Sequence, residues 1–495
     1  MSGFGSNERK TKKSEEKKIK TFQRDKLISN AFSLHSSGKI KEAADVYNSL
    51  IQKKIYDPRV FNNLGSIYSN LKQFDKAILL FDESIKKFPN SLEAYINLAN
   101  VMIIKGKSDI AKKILNKVIE LNPNYLKPYS NLAGIFVGEG NFEKAEFFLR
   151  RSLEINPKDI NTLVNLACVL KDLGNPKQAE RFLRDALEIN PKYDSALVNL
   201  GAVLNELGKI DEGEEFLKKA LKINPNSPMA LNNLGNILSK KNKNKEAELF
   251  YRKAIELKSD FFLAYDNLGS LLSKQGNLIE AEKFTEKAIN YNPKFELAYV
   301  NLGSIKIDLD KLLEAEELFL GAIQINENYS YAYRNLFRLY EKTNNLEKLK
   351  NKLKTLKENK SIINEKILFQ ARIFFREKDY IKAKKSIDQV SDEWINNTDH
   401  QTNLLYWSYK AFIEEKVGNY DEAFKCFENS QLNLKYENFN PKVFQNYIHT
   451  YRKNLDNKNF VVENNLLEDN EFSPVFLIGF PRSGTTLLDT ILRSH

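Results

Sequence analysis

Residues 474–495 read PVFLIGFPRSGTTLLDTILRSH. Arg482, Ser483, Gly484, Thr485 and Thr486 are the residue types that hold a tetrahedral oxyanion. A guanidinium forks onto two oxygens, hydroxyls donate, and a glycine-bounded loop lets backbone N–H groups converge. Such a loop needs a strand before it and a helix after it, so that the anion sits at the helix N-terminus. Residues 475–478 form an apolar run of the kind buried in a parallel sheet. Leu487, Leu488, Ile491 and Leu492 then fall on one side of a helix.

A second set of polar residues recurs on a clock. Asn63, Asn97, Asn131, Asn165, Asn199, Asn233, Asn267, Asn301 and Asn335, each followed by Leu, stand 34 residues apart without insertion. A primary amide is donor and acceptor at once, so a column of them can pair with the main chain of an extended polypeptide whatever its side chains. Equally, the amides can satisfy groups inside the array or follow its consensus, and the sequence leaves both open. Two residues beyond each Asn stands a small residue (Gly65, Ala99, Ala133, Ala167, Gly201, Gly235, Gly269, Gly303), until Phe337 breaks the rule. A second small residue follows 12 later, from Ala77 to Ala315 with Gly213 among them.

Apolar residues recur three and four apart in both halves of each unit, which predicts two amphipathic helices. A break such as KGKS at 105–108 divides them. Pro89, Pro123, Pro157, Pro191, Pro225 and Pro293 end the second helix. The small residues are expected where helices of one repeat and the next approach closely.

This pattern resembles the tetratricopeptide repeat (TPR), with about twelve units between residues 24 and 432. Degraded units follow Phe337: Ala371 with Ala383 and, after a six-residue slip, Ala411 with Ala423. The resemblance implies an all-α superhelical solenoid of about twelve helix pairs. It also implies that the first helices, and hence the asparagines, line a concave groove that binds a protein or peptide. The O-GlcNAc transferases have a similar asparagine ladder, implicated there in binding protein substrates.

Gly479 and Gly484 are spaced as in the phosphate loop GxxxxGK[ST], but Thr485 replaces its lysine and the charge has moved to Arg482. That disfavours a phosphate-loop kinase or ATPase. FPRSGTTLLDTILRSH resembles the phosphosulfate-binding loop of sulfotransferases that use 3′-phosphoadenosine 5′-phosphosulfate (PAPS). It is most similar to the protein-tyrosine sulfotransferase branch and to bacterial relatives carrying TPRs before the catalytic domain. The resemblance implies that Arg482, Ser483, Gly484, Thr485 and Thr486 contact the phosphosulfate. Arg482 would be the catalytic group stabilising the sulfuryl passing from PAPS to an acceptor hydroxyl, a protein tyrosine among the candidates. In that family a general base and a 3′-phosphate motif follow this loop. The chain is therefore expected to be a fragment that holds only the first strand, loop and helix of an α/β domain and is inactive alone.

The bulk properties exclude several classes. Cys168 and Cys426 lie far apart and the four histidines show no ligand spacing, so neither a disulfide framework nor a metal site is expected. The polar, basic start and the absence of a long apolar run predict a cytoplasmic chain with no membrane segment. A net charge of +11 spread as lysines over solvated helix faces points to no nucleic-acid partner. The expected organisation is a basic disordered tail (1–23), a regular array (24–345) and degenerate repeats (346–432). A helix with a connecting segment (433–472) and the incomplete domain (473–495) follow. The competing reading is a non-enzymatic TPR interaction scaffold. A relative of the O-GlcNAc transferases would not be expected to follow its array with GFPRSGTT.

Overall fold

A computed structural model describes residues 25–356 and 361–432 of the protein. The tail at 1–23, the segment 433–472 and the loop carrying Arg482, Ser483, Gly484, Thr485 and Thr486 lie outside the described residues. Every described element is a helix and no strand occurs among them. The described residues fall into two compact units, divided between Lys366 and Ile367. That division lies inside the stretch the sequence reads as degenerate repeats.

In the first unit, helices alternate in antiparallel pairs. After a helix at 25–36 and its partner Ile40–Gln52 come Pro58–Asn70 with Phe74–Lys87, and so on every 34 residues to Ser330–Lys342 with Leu346–Thr355. Regular second helices are 14 residues long. They end two residues before the proline, as at Leu121 before Pro123, because the residue preceding a proline is forced out of the helical region. Asn122 is accordingly extended (φ −151°, ψ 93°). Ser259 and Glu327 occupy the proline position in two repeats, yet the helices still stop at Leu257 and Ile325. At the second of these, Asn326 Oδ1 accepts the Asn328 N–H at 3.0 Å.

The turns are built from a second column of asparagines. The side-chain oxygens of Asn122, Asn156, Asn190 and Asn292 each accept the backbone N–H two residues on, at 3.0–3.2 Å. Within each pair, the first helix ends at a residue of positive φ, nine after the ladder asparagine. Gly106 (φ 72°) supplies it in one repeat, whereas Lys72 (φ 59°) does so in another.

The small column sets how closely two helices approach, but not where expected. A Cβ on Gly65 would lie 2.5 Å from the Phe81 ring, on Gly235 2.6 Å from Tyr251, and on Gly303 2.5 Å from Phe319. Each aromatic belongs to the second helix of the same pair. The contact is therefore within a repeat and not between repeats. Gly213, in the second small column, reaches both: its Cβ would meet the Gly201 carbonyl of its own pair and Ile237 of the next. Where the first column holds Ala, as at Ala99, Ala133 and Ala167, the facing residue is the narrower Leu115, Leu149 or Leu183. The exchange is not strict, since Gly201 and Gly269 face Leu217 and Thr285. Phe337, fully buried, opens the degraded region, where the second helix shortens to the ten residues Leu346–Thr355.

Charged side chains stitch neighbouring repeats on the outside. Arg184 bonds Glu180 of its own helix (2.8 Å) and Glu212 of the next repeat (2.7 Å). Arg252 does the same with Glu248 and Glu280, both at 2.8 Å. Lying at the surface and partly open to water, each such pair contributes modestly alone.

Beyond Lys366 the second unit contains Tyr380–Ile387, the six-residue helix Asp392–Asn397, and the pair His400–Val417 and Tyr420–Leu432. Leu368, Ala383, Ile387, Ile395, Tyr406 and Ile413 form its core. The six-residue helix occupies the position of the slip in the repeat clock. Buried Glu414 pairs with Lys384 and accepts from Asn419 Nδ2 at 2.7 Å.

Gly65→Ala should destabilise the array by about 1–3 kcal/mol, because Phe81 is buried and its ring has nowhere to withdraw. Thermal unfolding followed by circular dichroism should show an earlier transition with the folded helicity unchanged.

Candidate functional site

The nine ladder asparagines all lie on first helices. Asn165 is exposed and the other eight are half-buried. The structure separates them by what their amides touch. Asn131 Nδ2 donates to Asn100 Oδ1 (2.8 Å), Asn267 to Asn232 Oδ1 (2.9 Å), and Asn301 to both oxygens of Asp266 (3.0 Å each). All three bonds run to the first helix of the preceding repeat. Asn63 donates to the Tyr47 hydroxyl (3.2 Å), and Asn335 turns back to the Tyr331 carbonyl of its own helix (2.8 Å). The side chains of Asn97, Asn165, Asn199 and Asn233 make no hydrogen bond to a described residue. The internal role therefore holds for five rungs. Asn165, Asn199 and Asn233, in three successive repeats, keep their donors and acceptors open.

First helices also contact first helices along the stack: Asp194–Glu206, for example, touches both Ile160–Asp172 and Pro228–Lys240. Second helices of successive repeats make no comparable contact among the described residues. Between Lys127–Gly138 and Ile160–Asp172 the first helices part, leaving a groove of about 230 Å³. Ser130, Gly134, Val137, Asn165, Cys168 and Asp172 line it. Gly134 places no side chain in the gap. Burial raises the Cys168 thiol above its usual range, so it stays protonated at neutral pH.

The bonds made by Asn267 and Asn301 reveal a residue type the sequence reading passed over. The position just before each ladder asparagine is buried and polar in some repeats: Asn62, Asn232 and Asp266 are 4%, 2% and 2% exposed. Burial raises the Asp266 carboxyl to about 6, the bond from Asn301 only partly opposing it.

Two family models match the chain. One, described as the Cilia and flagella-associated protein 70 C-terminal domain, matches residues 28–264. The other is the tetratricopeptide repeat, at 263–295 and 297–329. The chain carries tetratricopeptide repeats. Over 102 residues it is 35% identical to the bovine BBSome complex member BBS4, a match covering 19% of this chain and 18% of that protein. Among solved structures, this TPR chain is similar to YrrB, a TPR protein with an unusual peptide-binding site (24% identity, 37% of this chain and 95% of that one, TM-score 0.31). It is also similar to a tetratricopeptide repeat protein from Parabacteroides merdae (23%, 50% and 98%, TM-score 0.44). A third is the human IFIT1 dimer (19%, 82% and 89%, TM-score 0.46). No described helix of the TPR protein is long and apolar enough to cross a membrane.

Asp266 gives a pH signature. Its folded pKa lies above the ordinary carboxyl value of 3.8, so its contribution to stability is complete below about pH 4 and is lost as pH rises through about 6. Above that, the buried carboxylate costs on the order of 3 kcal/mol. Asp266→Asn, which reproduces Asn232 of the preceding repeat, should raise the unfolding temperature at pH 7.5 and leave it nearly unchanged at pH 4. Thermal melts of both proteins at the two pH values check this.

Proposed function

We propose that the TPR array is a protein-interaction scaffold whose first-helix face holds an extended polypeptide by its main chain. The observation that carries this is the run of three consecutive open amides, Asn165, Asn199 and Asn233. Most successive first helices touch one another and second helices make no comparable contact among the described residues, which supports a partner lying along the first-helix face. A partner lying there meets one amide per repeat, able to donate to a carbonyl and accept from an N–H. Asn63, Asn97, Asn131, Asn267, Asn301 and Asn335 extend the column on either side. Changing Asn165, Asn199 and Asn233 together to Ala should weaken binding of a peptide selected on the intact protein about one hundredfold, at roughly 1 kcal/mol per lost hydrogen bond. Isothermal titration measures it, and unchanged affinity with unchanged helicity contradicts the reading.

A second reading is favoured by the sequence GFPRSGTT at residues 479–486. In it the scaffold serves a PAPS-dependent sulfotransferase, with the groove presenting the acceptor, a protein tyrosine among the candidates. Arg482, Ser483, Gly484, Thr485 and Thr486 would hold the 5′-phosphosulfate, and Arg482 would neutralise charge on the transferring group. Titrating 3′-phosphoadenosine 5′-phosphate into the protein tests it. Binding that falls ten- to one hundredfold in Arg482→Ala supports this reading. Absence of binding in a form of the protein that also carries the family's 3′-phosphate motif contradicts it and leaves the scaffold reading in place.

A further inference from the structure

The ladder amides bonded between first helices reach back to the preceding repeat, 35 residues earlier (Asn267 to Asn232, Asn301 to Asp266) or 31 residues earlier (Asn131 to Asn100), whereas Asn63 and Asn335 bond to Tyr47 and to their own helix. At Asn199 those positions hold Val164 and Cys168, and at Asn233 they hold Val198 and Ala202. Val164 and Val198 are each only 5% exposed, and neither can accept a hydrogen bond. Asn165 meets Ser130 and Gly134, both on the wall of the groove. Asn97 differs again, since Asn62 stands 35 residues before it with a buried, unpartnered Oδ1. At Asn199 and Asn233 the open rungs are therefore backed by residues that are not themselves polar.

The surroundings of the window describe its occupant. At the ladder position and three residues beyond it, from Asn63 and Ser66 to Asn301 and Ser304, every residue is uncharged, in a chain that is 28% charged. The charges one turn further along are exposed and mixed, Asp172 and Glu206 at the first two rungs and Lys240 at the third. Of the protein's net +11, residues 1–24 hold eight Lys and Arg against three Asp and Glu, so the tail and not this strip carries much of the excess. Packed helices lie ~8–10 Å apart and an extended chain rises ~3.3 Å per residue, so one rung meets about every third residue. Three open rungs span about seven residues.

Resting on the scaffold reading above, we infer that Val164 and Val198 are specificity-determining residues that keep Asn199 and Asn233 open for the main chain of an extended, uncharged peptide segment. Installing an acceptor there closes the rung without touching the ladder. The chain already tolerates Asn at the equivalent positions 62 and 232.

The test uses two fluorescein-labelled 12-residue probes on the intact protein, read by anisotropy. One repeats Ser-Gly-Ala and the other replaces every third residue by Glu. The neutral probe should bind, with affinity falling about tenfold in the Val164→Asn, Val198→Asn double variant. Asn232→Val, which releases Asn267, should tighten binding roughly threefold and keeps the test decisive if the double variant misfolds. Equal binding by wild type and the double variant, with binding lost in the triple Asn→Ala protein, overturns this inference and leaves the scaffold reading intact. Binding of the acidic probe as tight as the neutral one overturns the uncharged occupant. No binding of either probe to wild type overturns both.

Discussion

The close approach of each first helix to its own second helix, across a Gly or Ala, is the constraint on which the array depends. With no Cβ, Gly65 lets the Phe81 ring lie against its backbone, and Gly303 does the same for Phe319. That contact fixes the distance and rotation of the pair, and therefore which face of the first helix is left over for neighbouring pairs and for solvent. Because the small residue stands two positions after the ladder asparagine, the packing that closes the pair turns the amide out of it. The scaffold and the candidate binding face are two sides of one turn of helix.

Repetition then turns a local geometry into a column, but not a uniform one. Buried Asp266 and Asn232 tie the amides that follow them into the stack, while Val164 and Val198 leave theirs open. Polar pairs of this kind join the later repeats and apolar residues line the central ones. The same side chain thus serves as a structural bond in one repeat and as an available donor and acceptor two repeats away.

Much of this was legible in the chain. The 34-residue interval, the proline stops and the small columns come from forces acting within a few residues, so they leave a local trace. The helix pairs and the degraded region after Phe337 follow from them. Three features were not legible in that way. The partner of the small column lies 16 residues on, in the same pair, and periodicity alone cannot tell that helix from one in the next repeat. Helices stop at Leu257 and Ile325 without the proline that marks most other repeats. The partners of Asn131, Asn267 and Asn301 stand 31 or 35 residues earlier, on another helix, and become readable only once the stacking register is known.

A crystal structure of the protein with a bound peptide puts the central claim at risk most directly. The expected result is a main chain running across the first helices, with its carbonyl oxygens and N–H groups ~3 Å from the amides of Asn165, Asn199 and Asn233, while Asn267 and Asn301 stay bonded to Asn232 and Asp266. A peptide seated on the second helices, or open amides found bonded within the array, would contradict it.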